Sequence, residues 1–179
     1  MARLNVVDAS DPSYLSGLDK LSLTELRAKR DACAELETDL SYLRRLAQAR
    51  VDLIVAESER RHLGLSEPGP EALVEQLPQI LGEHARGEGP GRLPAFFAPA
   101  EGAQLTLAAR VEELLPSDKL GSLAALGSEE LGELLTSLSD LEREVSAERR
   151  TLHDIQDRLQ EELVRRYRSG EANVDALLR

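Results

Sequence analysis

The stretch ELETDLSYLRRLAQARVD, residues 35–52, decides the fold. Within it Glu37, Ser41, Arg44, Gln48 and Asp52 follow one another at steps of four, three, four and four. At about 100° per residue these five fall within about 80° of a helix circumference, and at about 1.5 Å per residue they make a polar stripe about 22 Å long. An apolar stripe of Cys33, Leu36, Leu40, Leu43, Ala47 and Ile54 runs beside it, at the three-and-four spacing of a coiled-coil seam. The polar stripe flanks the seam, so Arg44 and Asp52 are expected beside the core rather than in it.

The same order returns 105 residues later as Glu142, Ser146, Arg149, His153 and Asp157, again at steps of four, three, four and four. The apolar companions are Leu138, Leu141, Val145, Leu152 and Leu159. The correspondence reaches further: Leu15, Leu18, Leu21, Glu25 and Leu26 match Leu120, Leu123, Leu126, Glu130 and Leu131, and Glu57 matches Glu162. A repeat kept for packing alone would copy the leucines. Copying Glu, Ser, Arg and Asp in register asks for a second cause.

The composition fits long helices with narrow seams better than a thick core. Aromatics are 3% with no Trp, and charged residues are 31% of the 179. The net charge of −11 disfavours nucleic acid or an anionic membrane and favours a basic protein surface. The single cysteine, Cys33, has no internal disulfide partner, as suits a reducing compartment. No signal peptide is read at the start, and no apolar run reaches the roughly 20 residues that span a bilayer. A cytoplasmic location is therefore expected.

Taken in order, residues 1–21 read as an irregular arm with turn signals at Asp11-Pro12 and Gly17. Ser22 and Glu25 form a capping box that opens a first long helix over 22–63. Residues 64–127 are a long connector carrying short helices. It has an amphipathic pattern over 71–85 broken at Pro78, and a Gly- and Pro-rich loop over 87–102. Phe96-Phe97 in that loop could dock a partner, although burial against the chain's own helices is the ordinary fate of aromatics. A further short helix is expected over 103–115, stopped by Pro116. Ser128, Glu129 and Glu130 open the second long helix over 128–168, Gly170 ends it, and 169–179 form a tail.

The fold class is thus all-α, a long antiparallel two-helix coiled coil. Duplicated helices packed antiparallel are related by a pseudo-twofold axis, so the two polar stripes should face each other. Their acids, Glu37, Glu142, Asp52 and Asp157, would then repel when the site is empty, and Arg44 and Arg149 would lack a bridging anion. Arginine offers a planar fork to phosphate or to the O6/N7 edge of guanine, and a carboxylate accepts N1–H and N2–H from the opposite edge. Ser and Gln complete the hydrogen-bond set. An anionic, guanine-bearing, twofold-symmetric ligand such as cyclic di-GMP fits. The competing reading is a solvated flank with intrahelical pairs such as Glu37 with Ser41 or Arg44 with Gln48.

The Glu-x3-Ser-x2-Arg-x3-Gln-x3-Asp pattern resembles the cyclic di-GMP signature of the RsiG anti-sigma factors of actinobacteria. The first copy matches at all five places, Glu37, Ser41, Arg44, Gln48 and Asp52. The second matches at Glu142, Ser146, Arg149 and Asp157, with His153 where the pattern has Gln. The resemblance implies that these ten residues bind a cyclic di-GMP dimer, with no metal. It implies as well that the loaded protein sequesters a WhiG-type, flagellar-class sigma factor and so controls sporulation genes. It carries no information about the arm and connector.

Other chemistry is poorly supported. His62 and His84 are isolated from any metal-spaced ligand set, no Gly-rich phosphate loop follows a strand, and Ser41 and Ser146 lack a nucleophile's partners. The GGDEF and HD-GYP motifs of cyclic di-GMP turnover enzymes do not occur, so a non-enzymatic role is expected. The alternative to a ligand-gated anti-sigma factor is a structural coiled-coil adaptor without a nucleotide.

Overall fold

The structure, a computed structural model, describes residues 4–65 and 103–170 together with 75, 77, 78 and 80. The loop with Phe96-Phe97 and residues 171–179 of the tail lie outside the described residues, as does most of the pattern over 71–85. Among the described residues there is no strand. Helix α1 (Val6–Ser10) is followed by 3-10 segments at Pro12–Leu15 and Leu18–Lys20, then by the long helix α2 (Leu23–His62). Helix α3 (Ala103–Leu114), a 3-10 stretch at Ser117–Ala125 and the second long helix α4 (Ser128–Ser169) complete the order.

The chain divides into two units, Met1–Ser41 with Ser146–Arg179 and Tyr42–Val145. In the first, the start of α2 runs antiparallel to the end of α4: Arg27 near the start of α2 donates to the Tyr167 hydroxyl near the end of α4, and Glu37 further along α2 meets Arg149 earlier in α4. Leu26, Cys33, Leu152 and Leu159 are fully buried there. In the second unit Arg44 meets Glu142, and Arg61, near the end of α2, meets the carbonyls of Leu123 and Ala124 just before α4. Leu43, Ile54, Leu138 and Val145 are its fully buried seam residues. The apolar spacing produces this pairing because residues three and four apart share one face, and each unit closes that face against the other helix.

Local chemistry fixes the helix ends. The Ser22 hydroxyl accepts from the Glu25 N–H at 3.2 Å, and Glu25 Oε2 accepts from the Ser22 N–H at 2.7 Å, which is the anticipated capping box. Gly64 closes α2 at φ 65°. Its N–H bonds to Arg61 O, and the Leu65 N–H bonds to Arg60 O, a pair of contacts that a left-handed residue at this place permits.

The arm is not irregular, contrary to the expectation from its turn residues. The Asn5 side chain caps α1 by accepting from the Asp8 N–H at 2.8 Å, and Asp11 caps the next segment by accepting from the Ser13 N–H at 2.7 Å. Short polar caps hold single turns that are too brief to show helical periodicity. The arm also packs on α2: the Tyr14 hydroxyl donates to Lys29 O at 3.3 Å, and Lys29 Nζ donates back to Tyr14 O at 2.6 Å.

The duplication is visible in backbone geometry. Short helix, 3-10 stretch and long helix occur twice in the same order. Leu21 and Leu126, 105 residues apart, are both extended, with ψ 147° and 151°. Their N–H groups bond to Leu18 O and Leu123 O, each at 3.2 Å.

It is visible again at the far ends of the long helices. In the second unit Glu57 takes both Arg60 (2.7 Å) and Arg61 (2.6 Å), and Arg61 Nη2 reaches Leu123 O at 2.9 Å and Ala124 O at 3.1 Å. In the first unit Glu162 takes Arg165 and Arg166, each at 2.8 Å, while Arg166 donates to Leu18 O at 2.6 Å and to Leu21 O. The arginine hydrogen bonds, led by that from Arg60 to Glu57 and that from Arg165 to Glu162, hold each carboxyl at about 2, against 4.5 ordinarily.

These depressed values set a pH dependence. A group whose folded value lies below its unfolded one stabilises the fold above the unfolded value, and that contribution is lost as the pH falls through the folded one. The contribution of Glu57 and Glu162 should therefore be complete above about pH 4.5 and vanish toward pH 2. Urea midpoints of the wild type and of a Glu57→Gln, Glu162→Gln variant should lie furthest apart at neutral pH and converge as the pH falls to 2. A gap that stays constant over that interval would contradict the assignment.

Candidate functional site

The ten motif residues fall into two sets. Glu37, Ser41, Ser146, Arg149, His153 and Asp157 belong to the first unit, and Arg44, Gln48, Asp52 and Glu142 to the second. Helical spacing alone puts each set on the flank of the seam, where long side chains stay within reach of the facing helix.

In the first unit Arg149 donates through Nε and Nη2 to Glu37 Oε1, at 3.0 and 2.7 Å. The Ser41 hydroxyl donates to the same oxygen at 2.8 Å, and His153 Nε2 lies 3.7 Å from it. Partial burial would push the Glu37 carboxyl up. The hydrogen bonds from Arg149 and Ser41, with the Arg149 charge, outweigh burial and hold the carboxyl below its ordinary value. His153 and Asp157 are exposed.

In the second unit the pair is exchanged: Arg44 Nη1 donates to Glu142 Oε1 at 3.2 Å. Glu37 and Glu142 are equivalent in the repeat, and so are Arg149 and Arg44. Each arginine therefore meets the glutamate of the other copy. Arg44 Nε is buried and has no hydrogen-bond partner. Gln48 Nε2 donates to Asp52 Oδ1 at 3.0 Å.

Three expectations change. The acids were expected to repel across an empty site with the arginines lacking an anion. Instead the antiparallel pairing sets each arginine against a glutamate, so Glu37 and Glu142 are neutralised within the chain. Asp52 was expected beside the core, but it is 5% exposed, whereas its counterpart Asp157 is exposed. The intrahelical pair of Glu37 and Ser41 does form, alongside the interhelical one, while Gln48 turns to Asp52 rather than to Arg44.

Sequence reasoning passed over Arg50. It is 5% exposed and donates to Leu115 O and to the Ser117 hydroxyl, each at 3.0 Å, and pairs with Glu112. These bonds tie α2 to the end of α3 within the second unit, where Val111 and Leu115 are buried. Its repeat counterpart is Ile155, so the duplication carried no hint of it. A charged residue at a seam-like position was the available signal, since such a residue is buried only when paired.

The described residues include no group of His, Cys, Asp and Glu able to hold a metal ion, and no helix long and apolar enough to cross a membrane. No curated protein matches the chain. Residues 12–81 match the family model described as RsiG-like. The first motif copy, Glu37 to Asp52, lies within the matched residues, and the second, Glu142 to Asp157, lies beyond them.

Proposed function

We propose that this chain, whose residues 12–81 match the RsiG-like family model, is an anti-sigma factor that binds cyclic di-GMP through its two Arg–Glu sets. In this reading the loaded form sequesters a WhiG-type, flagellar-class sigma factor and so controls sporulation genes. The observation that carries it is the exchange of partners between copies: Arg149 with Glu37, and Arg44 with Glu142.

The exchange suits guanine chemistry. Guanine has an acceptor edge, O6 and N7, that takes an arginine fork, and a donor edge, N1–H and N2–H, that gives to a carboxylate. A guanine entering between the members of an Arg–Glu pair converts one direct ion pair into two hydrogen-bonded contacts, arginine to base and base to acid. The desolvated Arg44 Nε gains an acceptor in the process, which removes the cost of an unpaired buried donor. The phosphates supply anion for the arginine charge that the base leaves over. Two sets in one chain accommodate a pair of cyclic di-GMP molecules. The role is binding, not catalysis: both arginines and both glutamates act as ligands. The net charge of −11 suits a partner with basic surfaces, which a sigma factor's DNA-binding face provides.

The chemistry predicts a selectivity. Cyclic di-GMP should raise the melting temperature in a saturable way. Cyclic di-AMP, whose adenine presents an amino group where guanine has O6, should leave it unchanged at the same concentration. Equal shifts with both would reduce the arginines to phosphate binders. No shift with either would favour the structural adaptor.

A further inference from the structure

The apolar seam does not by itself define how far one long helix is slid along the other. The buried Leu26, Cys33, Leu40, Ala47 and Ile54 on α2, and Leu138, Val145, Leu152 and Leu159 on α4, recur every seven residues. Sliding one helix by a heptad therefore sets apolar residues against apolar residues again. Leucine-rich seams of this kind tolerate alternative registers unless polar groups single one out. The motif residues need one register, because Arg149 reaches Glu37 and Arg44 reaches Glu142 at a single offset.

The duplicated clasps supply a contact that does not recur along the seam. The carbonyls of Leu18, in the 3-10 stretch before α2, and of Leu21, the extended residue that caps it, form one pair, and those of Leu123 and Ala124 in the 3-10 stretch before α4 form the other. Each set of carbonyls lies at the start of its long helix. Arg166 meets the first pair and Arg61 the second. Each arginine is aimed by a glutamate one turn earlier, Glu162 or Glu57. The Arg166 side chain is 8% exposed, so a slipped register would strip its carbonyl acceptors while it stayed within the fold. Glu57 with Arg60 and Arg61, and Glu162 with Arg165 and Arg166, repeat at the 105-residue spacing, so the device was copied whole.

We propose that Arg61 and Arg166 are register keys, positioning residues that hold the two long helices at the one offset where Arg44 meets Glu142 and Arg149 meets Glu37. They touch no nucleotide. Their consequence for cyclic di-GMP rests on the function proposed above, but the register claim does not.

The test is a pair of distances by electron spin resonance in the full chain with Cys33→Ser. Labels go on the exposed positions 31 and 161 for the first unit, and on 59 and 129 for the second. Wild-type protein should give one narrow distance for each pair. Arg166→Ala should add a second population in the first pair, displaced along the helix by about 10 Å, one heptad at about 1.5 Å per residue. Arg61→Ala should do the same in the second pair. Arg165→Ala, which leaves the carbonyl contacts in place, should not. If an alanine variant loses its helix content, Arg166→Lys decides, because one ammonium group cannot span two carbonyls and should give a mixture of registers in a folded chain. A single unchanged distance in folded Arg166→Ala or Arg166→Lys overturns the proposal and leaves the clasp a stabilising contact only. In the same samples cyclic di-GMP affinity should drop in proportion to the in-register fraction, about tenfold where that fraction is about one tenth. If wild-type protein binds no cyclic di-GMP, the functional proposal fails while the distances still judge the register.

Discussion

Replacing Arg44 or Arg149 with alanine should lower cyclic di-GMP affinity by about 100-fold and leave helix content unchanged. Hydrogen bonds to charged groups contribute about 1.5–3 kcal/mol each, so losing a two-pronged contact removes roughly 3 kcal/mol, about two decades of affinity. Neither side chain fills the seam: Arg44 is 35% exposed and Arg149 is 24% exposed. Their glutamate partners are also partly exposed, at 23% and 20%, so water can solvate the acid left behind. Circular dichroism and titration on one preparation separate the two effects. Wild-type affinity in either variant would remove that arginine from the site. Asp52→Ala is a poorer probe, because at 5% exposure its loss should weaken both folding and binding.

The second large effect concerns the partner. Cyclic di-GMP should tighten the sigma-factor complex, by an amount in the ordinary coupling range of about 1–3 kcal/mol, or roughly 5- to 150-fold. The physical basis differs from simple relief of repulsion, since Glu37 and Glu142 already have arginine partners in the empty chain. In the proposed reading the nucleotide would instead replace direct ion pairs by base-mediated ones and fix the flanks of the seam in one arrangement. A sigma factor that recognises that arrangement binds more tightly, and by linkage must tighten the nucleotide by the same factor. Sigma affinity measured at fixed salt with and without saturating nucleotide decides the point. Equal affinities would remove the gating role, and weaker binding with nucleotide would reverse the switch.

Much of this was legible in residues 35–52 and their copy. Three-and-four spacing of Leu36, Leu40 and Leu43 determined a long paired helix, because burying one face is the only use for such a stripe. The Ser22 and Glu25 box marked where that helix begins, since both partners of the cap lie within four residues. The exchange of arginine and glutamate between copies was not legible. It depends on which residues lie opposite after antiparallel packing, and spacing along one helix does not contain that. Arg50 was missed because its partners Glu112, Leu115 and Ser117 lie more than sixty residues away in sequence. The clasps left a trace, since Arg60-Arg61 and Arg165-Arg166 share the repeat spacing. Nothing in that trace said that their targets are backbone carbonyls, which carry no sequence signal.

The most direct test of the central claim is calorimetric titration of cyclic di-GMP into the intact chain, with an Arg44→Ala, Arg149→Ala chain in the second cell. Guanine binding at the two Arg–Glu sets predicts a saturable heat for the wild type and almost none for the double variant at the same helix content. No heat from the wild type, or the same isotherm from both proteins, would contradict it.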